Sequence, residues 1–365
     1  NGRQTAEARR RRAAFRFLIM RRRECIRLLT AAGLLGPSAL ARAAGSAAAG
    51  AAAISVEALP KIKGPVTLYL GRGEGGLYGD ILDAIRERNP EMRLNVRRGP
   101  SSALANTLVA EAGAGVSRAD VFWAVDSGAI GRVVNDADVR PIPDSLRRQL
   151  KPAFRFPDWV PVSGRIRTLP HNTDRLGADD VPDSIMALPE SGLRVGWAPA
   201  YGAFQSFVTA LRLLEGEDAA REWLRAVAPN ARTYAGEFGV VMAVARGEVD
   251  VGLANHYYTL RLKKGRPDAS VALAFTRGDA GCLLNASGAV RLNERPEALL
   301  FLKHLLTREV QSYLAGQAFE IPLAAGVPSP GGLPSLETLQ PPDVDLEALA
   351  DPRPTLELLR ETGVL

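Results

Sequence analysis

The sequence predicts an α/β protein built as two lobes with a cleft between them, and three observations carry that expectation. Apolar runs short enough for buried strands alternate with stretches of helical apolar spacing, the order that makes a parallel sheet covered on both faces. The alternation comes in two blocks, one opening at Val66 and the other at Leu193. Two further apolar stretches, 165–170 and 283–292, have no helix of their own, as befits strands crossing from one lobe to the other. The 365 residues, 46% hydrophobic and 24% charged, allow two or three domains and exclude both a disordered chain and a polytopic membrane protein.

In chain order, residues 1–43 read as upstream sequence and an export signal. Arg21-Arg22-Arg23 precede a mostly apolar stretch from Cys25 to Leu40, and Ala41-Arg42-Ala43 offers an A-x-A cleavage site before Ala44. The stretch is too short, and too broken by Gly33, Gly36 and Pro37, for a membrane-spanning helix. Arg22 to Ile26 resembles a twin-arginine signal, with an ordinary secretory signal as the alternative, and Met20 is the expected start. Of 46 basic and 40 acidic residues, eleven arginines and two glutamates fall in this segment, so the remainder holds 35 against 38 and is net −3. The overall charge of +6 therefore belongs to the N-terminus, and no nucleic-acid partner is expected. With the signal removed Cys282 is the only cysteine, so no intramolecular disulfide is expected.

An Ala/Gly/Ser-rich linker, 44–61, is expected to be flexible. The first lobe, 62–168 plus 288–335, should contain strand 66–70, helix 77–88 with its apolar face at Leu77, Ile81, Leu82 and Ile85, strand 92–96, helix 103–112 and strand 120–123. The second lobe, 169–287, should contain strand 193–197, helices 203–214, 219–227 and 240–246, and strand 250–254. A tail, 336–365, begins in proline-rich sequence and closes with a helix over 355–362 that packs back on the lobes.

Three places in this frame could carry chemistry. Gly71-Arg72-Gly73-Glu74-Gly75-Gly76 lies between a strand and a helix and matches G-x-G-x-x-G. It reads either as a nucleotide-phosphate loop, with Arg97-Arg98 in reach of a 2′-phosphate, or as a cleft-side turn that needs glycine. Pro199 to Phe204 turns from a strand into a helix, aiming the N–H groups of Gly202 and Ala203 at the cleft as an anion site. Tyr201 stands beside them as a further phenolate or a plain helix-start aromatic. Asn255-His256-Tyr257-Tyr258 follows a strand and opens a short helix with a cationic end and a stop at Gly265. Asn255 is the expected N-cap and His256 a surface or capping residue. Tyr257 and Tyr258 then sit in the first turn, at the positive end of the helix, where a trivalent metal would ionise both phenols. A phenolate pair suits ferric iron better than zinc or copper(I), although packing alone also accounts for adjacent aromatics. His171, His256 and His304 have no zinc spacing, and no nucleophilic motif assembles, so the residues give catalysis no support.

Together, Gly71-Arg72-Gly73-Glu74, Ala119 to Trp123, Ser163-Gly164-Arg165, Gly196-Trp197-Ala198-Pro199, Ala245 to Tyr258 and Asn285-Ala286-Ser287-Gly288 resemble the ferric-iron-binding periplasmic proteins of ABC transporters, over about Val66 to Leu365. The resemblance implies an α/β, two-lobed periplasmic-binding-protein type II fold with hinge strands and a ligand cleft between lobes. It implies that Tyr257 and Tyr258 ligate iron, that the turn at Tyr201, Gly202 and Ala203 holds a synergistic anion such as carbonate, and that Asn255 helps bind it. Three positions depart from the family: Gly73 where several members have a ligating histidine, Val125 beside Asp126 where some have a glutamate, and Glu237 in place of an asparagine near the anion. The expected site is thus Tyr257, Tyr258, Tyr201 and Glu74 on the metal, with Arg72, Gly202, Ala203, Asn255 and Glu237 about the anion. The implied function is a monomeric, non-enzymatic binding protein that takes up ferric iron outside the cytoplasm and passes it to a membrane permease. A binding protein for a phosphonate or thiamine-like solute and an exported NADP-dependent oxidoreductase are the alternatives.

Overall fold

Strand β1 (Gly64–Gly71) buries Val66, Leu68, Tyr69 and Leu70, so both of its faces must be covered. The cover is α1 (Leu77–Arg88), which contributes Tyr78, Ile81, Leu82 and Ile85 to the core. Next come β2 (Met92–Gly99), α2 (Ser101–Gly113) and β3 (Val121–Ala124), and β1 pairs in parallel with both β2 and β3. Asp126 caps α3 (Ser127–Asp136) by accepting the Ala129 N–H at 2.8 Å, and α4 (Asp144–Arg147) leads into the twelve-residue β4 (Val160–His171). The structure is a computed structural model and describes residues 52–71 and 77–365; the segment expected to be an export signal, and Arg72, Gly73 and Glu74, lie outside the described residues.

The second block runs β5 (Val195–Trp197), α5 (Gly202–Glu215), α6 (Glu217–Val227), β6 (Ala231–Thr233), α7 (Glu237–Ala245), β7 (Val251–Gly252), β8 (Ala254–Asn255), α8 (His256–Gly265) and β9 (Ala272–Ala274). Here β5 is parallel to β6 and β7. The chain returns through β10 (Leu284–Arg291), α9 (Pro296–Leu305), α10 (Arg308–Tyr313), a π-helical turn at Leu314–Ala318, β11 (Ile321–Pro322), α11 (Leu336–Leu339) and α12 (Arg353–Glu361). Among the described residues no helix is long and apolar enough to cross a membrane.

The strand order is β2-β1-β3-β10-β4-β7-β5-β6, with β8, β9 and β11 added along β4. The two parallel groups therefore meet at the antiparallel pair β4 and β10, the stretches expected to cross between lobes. Both are buried along nearly their whole length, which explains why their sequences are mostly apolar although each also carries polar and charged residues. The register shifts between Ser287 and Gly288, and a Cβ at Gly288 would come within 2.4 Å of the Trp159 ring, so only glycine fits. The expected lobe boundaries at 168 and 287 fall inside these shared strands.

Two expectations are corrected. The strand expected over 250–254 is divided: β7 runs parallel to β5, whereas β8 turns to pair antiparallel with Arg167 and Thr168 of β4. The distal part of the expected flexible linker is docked. Ala53 donates its N–H to Ala325 at 2.8 Å, Ser55 donates to Glu309 at 2.9 Å, and Leu59 is buried. In the tail, Thr355 of α12 meets Thr209 of α5 at 2.7 Å, and Arg221 of α6 pairs with Glu361.

Candidate metal centre

Three helices of the second block begin where their strands end: α5 after β5, α7 after β6 and α8 after β8. Each helix N-terminus carries N–H groups that have no partner within the helix and the positive end of the helix dipole. Tyr201 is the N-cap residue of α5, followed by Gly202 and Ala203 as its first two residues. Tyr257 and Tyr258 are the second and third residues of α8. The fold joins these separate segments: the hydroxyls of Tyr201 and Tyr258 lie 2.7 Å apart, and the rings of Tyr257 and Tyr258 are 4.4 Å between centroids. Tyr257 and Tyr258 are buried while Tyr201 is half-buried, so the three phenols line one wall that opens at Tyr201.

Asn255 occupies the N-cap position with extended backbone, as expected, but its side chain makes no capping bond. Its amide is turned to the Tyr257 hydroxyl at 3.5 Å instead. His256 is corrected outright: it is fully buried rather than at the surface. Its Nδ1 accepts the Ile166 N–H at 3.2 Å and its Nε2 donates to the Phe319 carbonyl at 2.6 Å, so neither nitrogen is open to a metal. Burial pushes this imidazole down to about 4, leaving it a neutral strut behind the tyrosines.

Glu237, expected beside the anion, begins α7 with its side chain fully buried. One carboxylate oxygen pairs with Arg167 Nη1 and the other accepts the Asn255 N–H at 2.9 Å. Its place is behind the tyrosine wall, where it ties α7 to β4 and to the residue that precedes α8.

Sequence reasoning passed over the arginines of β4. A charge inside an otherwise buried central strand is itself a signal, because buried charges need partners. Arg165 and Arg167 are two residues apart and so project from the same face of the strand. Burial alone would push the Arg165 guanidinium down, but Glu320, Tyr257, Tyr78 and Asp126 together hold it above its ordinary value. Arg165 thus stands within electrostatic reach of the tyrosine wall, and its buried Nε has no protein partner. Behind it, Glu320 accepts from Tyr78 at 3.3 Å and from Ser163, which also meets Ser287 of β10 at 2.7 Å. Among the described residues no group of three His, Cys, Asp or Glu side chains could hold a metal, so the oxygen donors gathered here are phenols. The 2.7 Å between the Tyr201 and Tyr258 hydroxyls is that of an O–H···O hydrogen bond, which brings two phenol oxygens from separate segments together.

Two α/β groups joined through shared antiparallel strands, with polar side chains gathered at converging helix N-termini, define the two-lobe solute-binding class, here of type II. No protein-family model matches the chain. It is 30% identical to the major ferric iron-binding protein of Neisseria meningitidis over 312 residues, covering 82% of this chain and 93% of that protein. It is equally 30% identical to the Fe(3+)-binding periplasmic protein of Serratia marcescens over 342 residues, covering 91% and 98%. Iron-bound HitA from Pseudomonas aeruginosa superposes with a TM-score of 0.73 at 28% identity, over 83% of this chain and all of that one. The chain belongs to the family of periplasmic ferric-iron-binding proteins.

Proposed function

We propose that this protein captures ferric iron in the periplasm and delivers it to the permease of an ABC transporter. The relatives support this reading over a phosphonate or thiamine-like solute and over an oxidoreductase. Tyr257, Tyr258 and Tyr201 are the proposed ligands. The observation that supports the assignment is the 2.7 Å hydrogen bond between the Tyr201 and Tyr258 hydroxyls, with the Tyr257 ring tilted against that of Tyr258 at 4.4 Å between centroids. Three phenolates balance the charge of ferric iron, whereas two would leave one positive charge to be met by an anion. The N–H groups of Gly202 and Ala203, the Asn255 amide and the Arg165 guanidinium are the proposed contacts to such an anion, carbonate or a carboxylate. Arg165 joins this group because guanidinium pairs with oxyanions in bidentate fashion. Glu237 serves the site by holding Arg167 and the Asn255 backbone in place. Arg72 and Glu74, which follow β1 in the sequence, are the proposed first-lobe contacts to anion and metal. The protein acts as a monomer, exported by a twin-arginine-like or secretory signal.

The test is the visible spectrum of purified protein loaded with ferric citrate. Phenolate-to-iron charge transfer should colour it, Tyr257→Phe and Tyr258→Phe should each lower absorbance and affinity together, and Tyr201→Phe should shift the band. A colourless loaded protein, or unchanged spectra in all three variants, overturns the assignment.

A further inference from the structure

Arg261 lies one turn after Tyr257 on α8, and this spacing places the two side chains on one face of the helix. The guanidinium carbon is 4.6 Å from the centroid of the Tyr257 ring and 5.9 Å from that of Tyr258. Both distances are within the roughly 6 Å at which a cation is attracted to an aromatic face. Arg261 is held there from outside α8, because its Nη2 donates to the Ala318 carbonyl at 3.1 Å. The next carbonyl, of Phe319, takes the hydrogen bond from His256. Phe319 adopts a left-handed conformation, φ 57°, at the end of the π-helical turn, so successive carbonyls of that turn grip α8 on either side of the tyrosine pair.

We propose that Arg261 is a positioning residue of the ferric site, which fixes the planes of both phenol rings and lowers the energy of their donor electrons. The inference rests on the ferric reading above. A phenolate ring carries more negative π density than a phenol, so a guanidinium over its face favours the ligating form. Charge transfer moves electron density from the ring to the iron and leaves the ring less negative. The guanidinium therefore stabilises the ground state more than the excited state and holds the absorption band at shorter wavelength. Arg165 also acts on Tyr257, but Arg261 is the cation seated over both rings of the pair.

The experiment compares wild type, Arg261→Gln, Arg261→Met and Arg261→Lys, each loaded with ferric citrate and checked for folding by far-ultraviolet circular dichroism. The Gln and Met variants should move the band to longer wavelength and weaken iron binding roughly 3- to 30-fold, the range that a cation–π contact supplies. The Lys variant keeps a cation and should recover most of the band position. Met retains the apolar stem and serves if Gln fails to fold. A merely structural role would lower thermal stability without moving the band. Gln and Met variants that bind iron with the wild-type band and affinity overturn the proposal while leaving the ferric reading intact. A wild type without a charge-transfer band overturns both.

Discussion

Replacing Arg167 by methionine tests whether the floor of the tyrosine wall depends on one buried ion pair. The side chains of Arg167 and Glu237 are 3% and 0% exposed, so the substitution leaves a carboxylate with no route to water. Removing one partner of such a pair costs about 3 to 5 kcal/mol, because the remaining charge is uncompensated. The Asn255 N–H still donates to Glu237, and Arg167 Nη2 is itself unpartnered in the wild type, so the lower end, about 3 kcal/mol, is expected. With a urea dependence of about 3 kcal/mol per molar, the unfolding midpoint should fall by roughly 1 M. All four tryptophans are buried, so fluorescence follows the transition. The double variant Arg167→Met/Glu237→Leu removes both charges and should regain most of the loss. A single variant that loses less than about 1 kcal/mol, or a double variant no better than the single, would refute the argument that desolvation of Glu237 dominates. Because Glu237 also holds the Asn255 backbone, the double variant, which loses that hydrogen bond, should bind iron more weakly even under conditions where it is fully folded.

Arg165→Gln should make iron binding insensitive to added carbonate or citrate if the guanidinium clamps the anion; an anion dependence equal to wild type would remove it from the site. Burial, with Arg88 and Lys61 nearby, holds His304 below the ordinary imidazole value, and its Nδ1 donates to Leu300 at 2.8 Å while Nε2 accepts from Asn89 at 3.3 Å. The unfolded chain protonates this group near pH 6.5, before the folded protein does, so its contribution to stability is complete above that value and is lost as pH falls towards the folded value. His304→Gln should accordingly flatten the stability profile below about pH 6.5, and an unchanged slope in urea titrations would contradict this.

Much of the frame was legible in the sequence because it follows from local rules. Helix α1 was read from its apolar spacing and β1 from the short, mostly apolar run 66–70. The crossing strands were recognised because apolar stretches without a helix have no place in a repeating strand-helix unit. The break between β7 and β8 was not legible, since Leu253 continues the apolar run and only the competing partners β5 and β4 divide it. The site was legible where its residues are adjacent. Tyr257 and Tyr258 stand side by side at a helix start, whereas Arg165 appeared only within a family motif and Arg261 only as part of a cationic helix end.

The sequence by itself determined the alternation of elements, the acidic character of the chain beyond residue 43, and a paired phenol source at the start of α8. Each of these depends on neighbours in the chain, through backbone periodicity, composition or helix position. Only the tertiary structure decided that Tyr201 meets Tyr258, 57 positions further along the chain, that Glu237 turns inward to Arg167, and that His256 is spent on Ile166 and Phe319. Those outcomes depend on which strand ends share a side of the sheet and which polar atoms are cut off from water. Pairing and desolvation of that kind are properties of the assembled core, and no local stretch of residues carries them.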